Sequence, residues 1–253
     1  MTIAPRTAGF KGAAKLLDVA DIEAAAAELG VEYAKLRAVL HVEASGSGFD
    51  ARGRPKILYE AHVFWRNLPT GMREEANRRG LAWPHWQPGR YPRGSDAMYE
   101  QLEKACDLHE EAALKACSWG IAQILGENHK AVGYPAVVEM VIDAMKGERE
   151  QLDMLVAFID NIGLTIPLRM GDWEAFAARY NGPAFRVNAY HTKMAEAYER
   201  FRNEARQAPI LPVAPKSPAA APSAPIQSSQ PQSAPAQPPT AGPAGMDGSQ
   251  GAG

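Results

Sequence analysis

Apolar residues recur at helical spacing along most of this chain. From Val31 to Glu43, the residues Leu36, Val39 and Leu40 form one stripe. Glu43 follows them at i+7, i+4 and i+3, so it falls on the same face. Ser45-Gly46-Ser47-Gly48 then ends the helix. Before it, Asp18 or Asp21 caps a helix that runs through Leu29 and closes at Gly30. Arg52-Gly53-Arg54-Pro55 reads as a turn, and Ile57-Leu58-Tyr59 as a short β-like run. The pattern then returns to helix over Ala61 to Asn67. Pro84 to Ser95 is a loop, and Ser95 caps a helix over Asp96 to Ala105. A capping box at Asp107-Leu108-His109-Glu110 opens another helix to about Cys117. Ser118-Trp119-Gly120 starts or breaks a further one that carries Ile121, Gln123, Ile124 and Leu125. Helices are predicted over Pro135 to Met145, Glu148 to Asn161, Trp173 to Tyr180 behind an Asp172 cap, and Arg186 to Arg206. The fold class is mostly α: a multi-helix domain with one small β excursion after the helix that ends in Glu43.

Composition divides the chain. Gln207 to Gly253 holds 11 of the 20 prolines, no aromatic residue, and only Lys216 and Asp247 as charges. Such a stretch buries too little apolar surface to offset its chain entropy. Residues 1–206 are therefore expected to form the domain, and 207–253 a disordered Pro/Ala/Gln/Ser-rich tail that serves as linker or tether. Truncation after Gln207 should leave the melting temperature unchanged in a calorimetric scan; a drop of several degrees would show that the tail packs on the domain. The net charge of −2 is the same with or without the tail and gives no reason to expect nucleic acid as a partner. The basic clusters at Arg52, Arg54 and Lys56 and at Arg73, Arg78 and Arg79 read as solvated faces or loops. No apolar run approaches the roughly 18 residues of a membrane span, and the first residues lack an apolar signal region. Cys106 and Cys117 suggest neither a secreted disulfide framework nor a cysteine metal site, so free thiols are expected. The six histidines are scattered; the expectation is no metal, no cofactor and a monomer.

Glu43 carries the candidate chemistry. A carboxyl on an apolar face loses solvation, and the negative end of its helix dipole adds to the effect, so its pKa rises. It can then stay protonated near neutral pH and act as a general acid. The competing reading is a structural Glu paired with an Arg or a backbone N–H.

Three segments narrow the choice. The first is Val42-Glu43-Ala44-Ser45-Gly46-Ser47-Gly48-Phe49 with Gly53-Arg54-Pro55-Lys56-Ile57-Leu58-Tyr59-Glu60-Ala61-His62. The second is Ser118-Trp119-Gly120-Ile121-Ala122-Gln123-Ile124, and the third is Asp172-Trp173 through Tyr180-Asn181-Gly182-Pro183. In this order they resemble the N-acetylmuramidase domain of phage endolysins and prophage lysis proteins, and also soluble lytic transglycosylases and goose-type lysozymes. The resemblance spans roughly residues 18 to 203. The chain departs from the usual wording at Ala44, where Ser is commoner, and at Ile124-Leu125, where Ile-Met is more usual. Both changes are compatible with packing.

The resemblance implies a lysozyme-like fold, in which a helix C-terminus delivers the acid into a cleft, and a peptidoglycan-cleaving enzyme acting on glycan strands, with Glu43 as the acid. It implies synthesis in the host cytoplasm, and passage to the wall after a helper such as a holin opens the inner membrane. Hydrolysis needs a second group to serve water or the oxocarbenium-like state. Glu60 is the leading candidate and Asp50 the reserve; the competing role for Glu60 is an ion pair with Arg54 or Lys56. Ser118 and Gln123 resemble positions that bind sugar or orient the acid, and Tyr180 and Asn181 resemble the Tyr-Asn pair beside it. Trp119 either packs on a sugar face or fills core, and His62 either lines the cleft or is structural. Three functions remain open: a hydrolytic muramidase, a lytic transglycosylase giving 1,6-anhydro ends with Glu43 as both acid and base, and a non-catalytic peptidoglycan-binding module.

Overall fold

The computed structural model describes residues 4–44, 46–87 and 90–207. Ten helices and a three-stranded antiparallel sheet occupy them, as α1 (Val19–Leu29), α2 (Tyr33–Glu43), β1 (Ile57–Tyr59), α3 (Ala61–Asn67), α4 (Thr70–Arg78), α5 (Ser95–Lys115), β2 (Cys117–Trp119), β3 (Ile124–Leu125), α6 (Val137–Lys146), α7 (Glu148–Asn161), α8 (Thr165–Met170), α9 (Trp173–Tyr180) and α10 (Tyr190–Gln207). None of the described helices is long and apolar enough to cross a membrane. The expected tail from residue 208 onward lies outside the described residues.

α2 is enclosed from two sides, which follows from its sequence. Leu36, Val39 and Leu40 face the main core, while Ala34 and Ala38 lie under α10 against Ala197 and Phe201. Small residues on that second face let α10 approach closely, and the α2–α10 contact is the most extensive between any two elements. A helix covered on both flanks leaves little water around its last turn, where Glu43 sits. α1 precedes it with a reciprocal capping box between Asp18 and Asp21, and Gly30 closes it in the left-handed conformation.

The chain ahead of α1 belongs to the same body. Phe10 is buried against Tyr99 and Trp119, at ring-centroid distances of 5.3 Å and 6.0 Å. Lys15 then bridges Gly147 at the α6–α7 junction.

The turn predicted at Arg52–Pro55 forms, with Gly53 at φ +73°. It is locked by a buried ion pair in which Arg54 bonds Asp50 at 2.6 Å and stacks over the Tyr99 ring at 4.1 Å. β1 follows and pairs with β2 in the register Ile57–Trp119, Leu58–Ser118 and Tyr59–Cys117. β2 pairs in turn with β3, Trp119 opposite Ile124.

Several expectations are corrected. Residues 121–125 do not form a helix: they make the turn and second strand of a hairpin. Gly120 at φ +71° and Gln123 at φ +50° cannot sit inside an α-helix. Ser95 does not cap α5, because its hydroxyl donates to Asp50 at 2.6 Å and the N-cap position falls on Gly94. The break inside α5 comes at His109, not Asp107. His109 is extended, and its Nδ1 accepts from the Ala112 N–H at 3.2 Å. α6 starts at Val137, two residues later than Pro135. α10 starts at Tyr190 because Ala189, at φ +52°, interrupts the predicted run. Two helices, α4 and α8, were not expected. Cys106 and Cys117 are both free and buried, as expected.

Candidate active site

Glu43 ends α2, and the backbone leaves the helix at Ala44, whose N–H still reaches Leu40. Its side chain is half-buried. Burial raises its pKa to about 7, and the hydrogen bond it accepts from the Asn181 amide at 3.0 Å opposes part of that rise. Asn181 is itself buried, at the C-terminal end of α9, where Asp172 caps the N-terminus by accepting from the Ala175 N–H. The Asn181 Oδ1 is buried without a partner, so the amide points one unused acceptor into this region. Tyr180 stacks on Phe176 at 5.5 Å and meets Phe158 edge-on. Burial and then the nearby Glu43 charge push its hydroxyl pKa well up, and the same two causes raise Tyr190. The structure thus brings Glu43, Tyr180 and Asn181 together, as the motifs required.

A second group forms at the end of β1. Glu60 is largely buried, accepts from the Tyr91 hydroxyl at 3.0 Å, and lies 3.4 Å from His62 Nδ1. Burial raises its pKa, while the Tyr91 bond and the Arg66 charge pull it back. His62 is shifted down, by burial first and by Arg66 second. Arg54 is engaged with Asp50 and Asp96, so it is not the ion-pair partner considered for Glu60. Among the described residues, Glu43 and Glu60 share no hydrogen-bond partner.

Asp50 is held differently. Burial opposes its charge, but hydrogen bonds from Ser95, the Arg54 backbone and side chain, and the Arg52 backbone outweigh burial and bring its pKa to about 2. With its oxygens occupied in the ion pair, Asp50 braces the turn.

The hairpin residues are committed mostly to structure. Ser118 is buried in mid-strand, opposite Leu58 and Leu125. Trp119 is 1% exposed and donates its indole N–H to the Leu114 carbonyl at 3.1 Å, so it offers no face to a glycan. Gln123 donates its amide to the carbonyls of Gly120 at 2.8 Å and Lys56 at 3.2 Å, which ties the hairpin turn to the entry of β1. Ser45, two residues after Glu43 in the first of the three segments, lies outside the described residues.

Sequence reasoning missed Tyr91, Glu148 and Gln151. Tyr91 stands in the Pro/Gly-rich loop without periodic neighbours, so nothing marked it as a partner for Glu60. Glu148 and Gln151 are buried polar residues at the start of α7. The side-chain partners of Glu148 lie about a hundred residues away or more, and Gln151 joins Ile121, thirty residues away, to Ala144, seven away. The cue available was that Gln151 interrupts the apolar stripe of α7 beside Leu152.

A family model described as Muramidase, N-acetylmuramidase, matches residues 32–202. The span starts after α1 and includes Glu43, Glu60, Gln123, Tyr180 and Asn181. The crystal structure of an endolysin from Burkholderia AP3 phage is similar, with a TM-score of 0.70 and 36% sequence identity over 79% of this chain and 76% of that one. No curated protein sequence matches the chain. With the family model covering most of the chain and an endolysin structure sharing its fold at that identity, the chain belongs to the N-acetylmuramidase family of peptidoglycan-degrading enzymes.

Proposed function

We propose that this protein is a phage or prophage endolysin that hydrolyses the β-1,4 bond following N-acetylmuramic acid, acting at the cell wall once the inner membrane has been permeabilised. The observation that carries the proposal is Glu43: a half-buried carboxyl at a helix end, with a pKa of about 7. At neutral pH a large share of the enzyme holds the transferable proton. Glu43 gives that proton to the glycosidic oxygen as the C1–O bond breaks. Asn181, donating to the Glu43 oxygen, steadies the carboxylate that remains.

Water must then reach C1 and lose a proton. Glu60 is the better second carboxyl, because Asp50 is tied up by Arg54 and Ser95 and its pKa of about 2 makes it a weak base. Burial gives Glu60 a higher pKa and so a stronger basicity. In this reading Glu60 takes the proton from water, the hydroxyl adds to C1, and solvent exchange resets both carboxyls.

One observation favours a second reading. Because no group among the described residues bonds both Glu43 and Glu60, a mechanism that uses Glu43 alone fits the site as well. In that case the C6 hydroxyl of the muramic acid replaces water, and Glu43 serves as acid and then base. Mass spectrometry of muropeptides released from purified peptidoglycan separates the two. Reducing N-acetylmuramic acid ends are expected; products lighter by one water would identify a lytic transglycosylase.

A further inference from the structure

Glu148 and Gln151 sit one turn apart at the start of α7, and the mechanism above gives neither a task. They are 5% and 1% exposed. One Glu148 oxygen accepts from the Ser47 hydroxyl at 2.8 Å and the Gly48 N–H at 2.6 Å, and the other from the Leu17 N–H at 2.8 Å. All three donors are neutral, and an acceptor-only carboxylate is matched by them. Gln151 accepts from the Ile121 N–H at 2.7 Å and donates to the Ala144 carbonyl at 2.8 Å. The fit around it is tight. A Cβ on Gly48 would come within 2.0 Å of the Gln151 Oε1, and one on Gly120 within 2.4 Å of its Cδ. The glycines at 48 and 120 are what let two chain segments close on a single side chain.

Those segments are the ones that frame the site. Ser47 and Gly48 lie four and five residues beyond Glu43, and Ile121 begins the turn that carries Gln123. Residues 46–49 leave the C-terminal end of α2, where exclusion of water raises the Glu43 pKa. We infer that Glu148 and Gln151 are positioning residues: they clamp the loop after the acid and the hairpin turn against α7, and so keep Glu43 desolvated and aimed. The inference rests on Glu43 being the acid.

Initial rates on solubilised peptidoglycan, measured across pH, test it in the full chain. Glu148→Gln keeps the shape but turns one acceptor oxygen into a donor facing an N–H or hydroxyl. The expected result is a kcat about tenfold lower with KM little changed, as for loosened support of a catalytic group. The alkaline limb of the pH profile should also move toward lower pH, because a loosened loop admits water to Glu43. Ser47→Ala, at an exposed position, removes the hydroxyl that donates to Glu148 and accepts from the Phe49 N–H, keeps the fold, and should give a smaller shift of the same kind. A limb that stays in place in Ser47→Ala and in folded Glu148→Gln, whatever the rate, overturns the inference and leaves Glu148 a purely structural residue. Glu43→Gln run in parallel keeps the two readings apart. Activity surviving in that variant defeats the assignment of the acid, whereas an inactive Glu43→Gln beside an unmoved limb defeats only the clamp.

Discussion

Glu43→Gln should lower peptidoglycan cleavage by about a thousandfold, within the range lost with a general acid. Gln keeps the shape of the side chain and its contact with Asn181 but has no proton to transfer. The same variant should gain stability in alkaline solution. Burial raises the Glu43 pKa from 4.5 to about 7, so the folded protein holds this proton more tightly than the unfolded chain does. That contribution is complete below the unfolded value of 4.5 and is lost as pH rises through about 7. Gln cannot ionise, so the melting temperature of the variant relative to wild type should climb between pH 4.5 and about 7 and stay level above that. Wild-type activity should fall through the same window as the acid loses its proton. Turbidity clearing at near wild-type rate by a folded Glu43→Gln protein would remove Glu43 from the mechanism, and would make the protein's catalysis independent of the carboxyl that Asn181 contacts.

Glu60→Gln should reduce turnover by about a hundredfold, at the low end of what a positioned base contributes. Stability should change little. The Glu60 side chain does not cap α3, and its backbone N–H bond to Ala116 is untouched by the substitution. Gln can still accept from Tyr91. Reducing-end release and melting temperature, measured on the same preparation, decide the matter. A rate within a few-fold of wild type, alongside an inactive Glu43→Gln, would assign Glu60 to holding Tyr91 and leave Glu43 to work alone. Anhydro products would then be expected.

How far the chain could be read depended on whether each feature was local. α1 was legible because its capping box and closing glycine lie within a few residues of its ends. α2 was legible because Leu36, Val39 and Leu40 repeat at the helical period. The hairpin was misread because Ile121, Ile124 and Leu125 imitate that period over a stretch too short to separate helix from strand. Only the backbone at Gly120 and Gln123, both at positive φ, decides against helix. α4 escaped notice because it buries a single residue, Ala76, and so has no apolar stripe. α8 escaped because it is six residues long with a proline inside. At the site, Glu43 and Asn181 were found because each stands in a motif. Tyr91 and Glu148 were not, because they are defined by partners far away in sequence. One more acidic residue in the first turn of a helix looks like ordinary dipole compensation. That Glu148 turns inward depends on the Ser47, Gly48 and Leu17 donors that meet it, which is a property of the folded chain.

The segment ahead of α1 affects how this enzyme can be rebuilt. The span shared with the family begins at residue 32, yet Phe10 fills a socket against Tyr99 and Trp119, and the Leu17 N–H reaches Glu148. A cassette cut at the family boundary would empty that socket, a loss on the scale of about 3–5 kcal/mol for a buried Phe. It would also strip one donor from the carboxylate beneath the acid's loop. The Phe10 N–H also bonds the Pro5 carbonyl at 2.8 Å, so for chimeric lysins the transferable unit includes Pro5, and a new targeting module joined at the front should be spliced upstream of that residue.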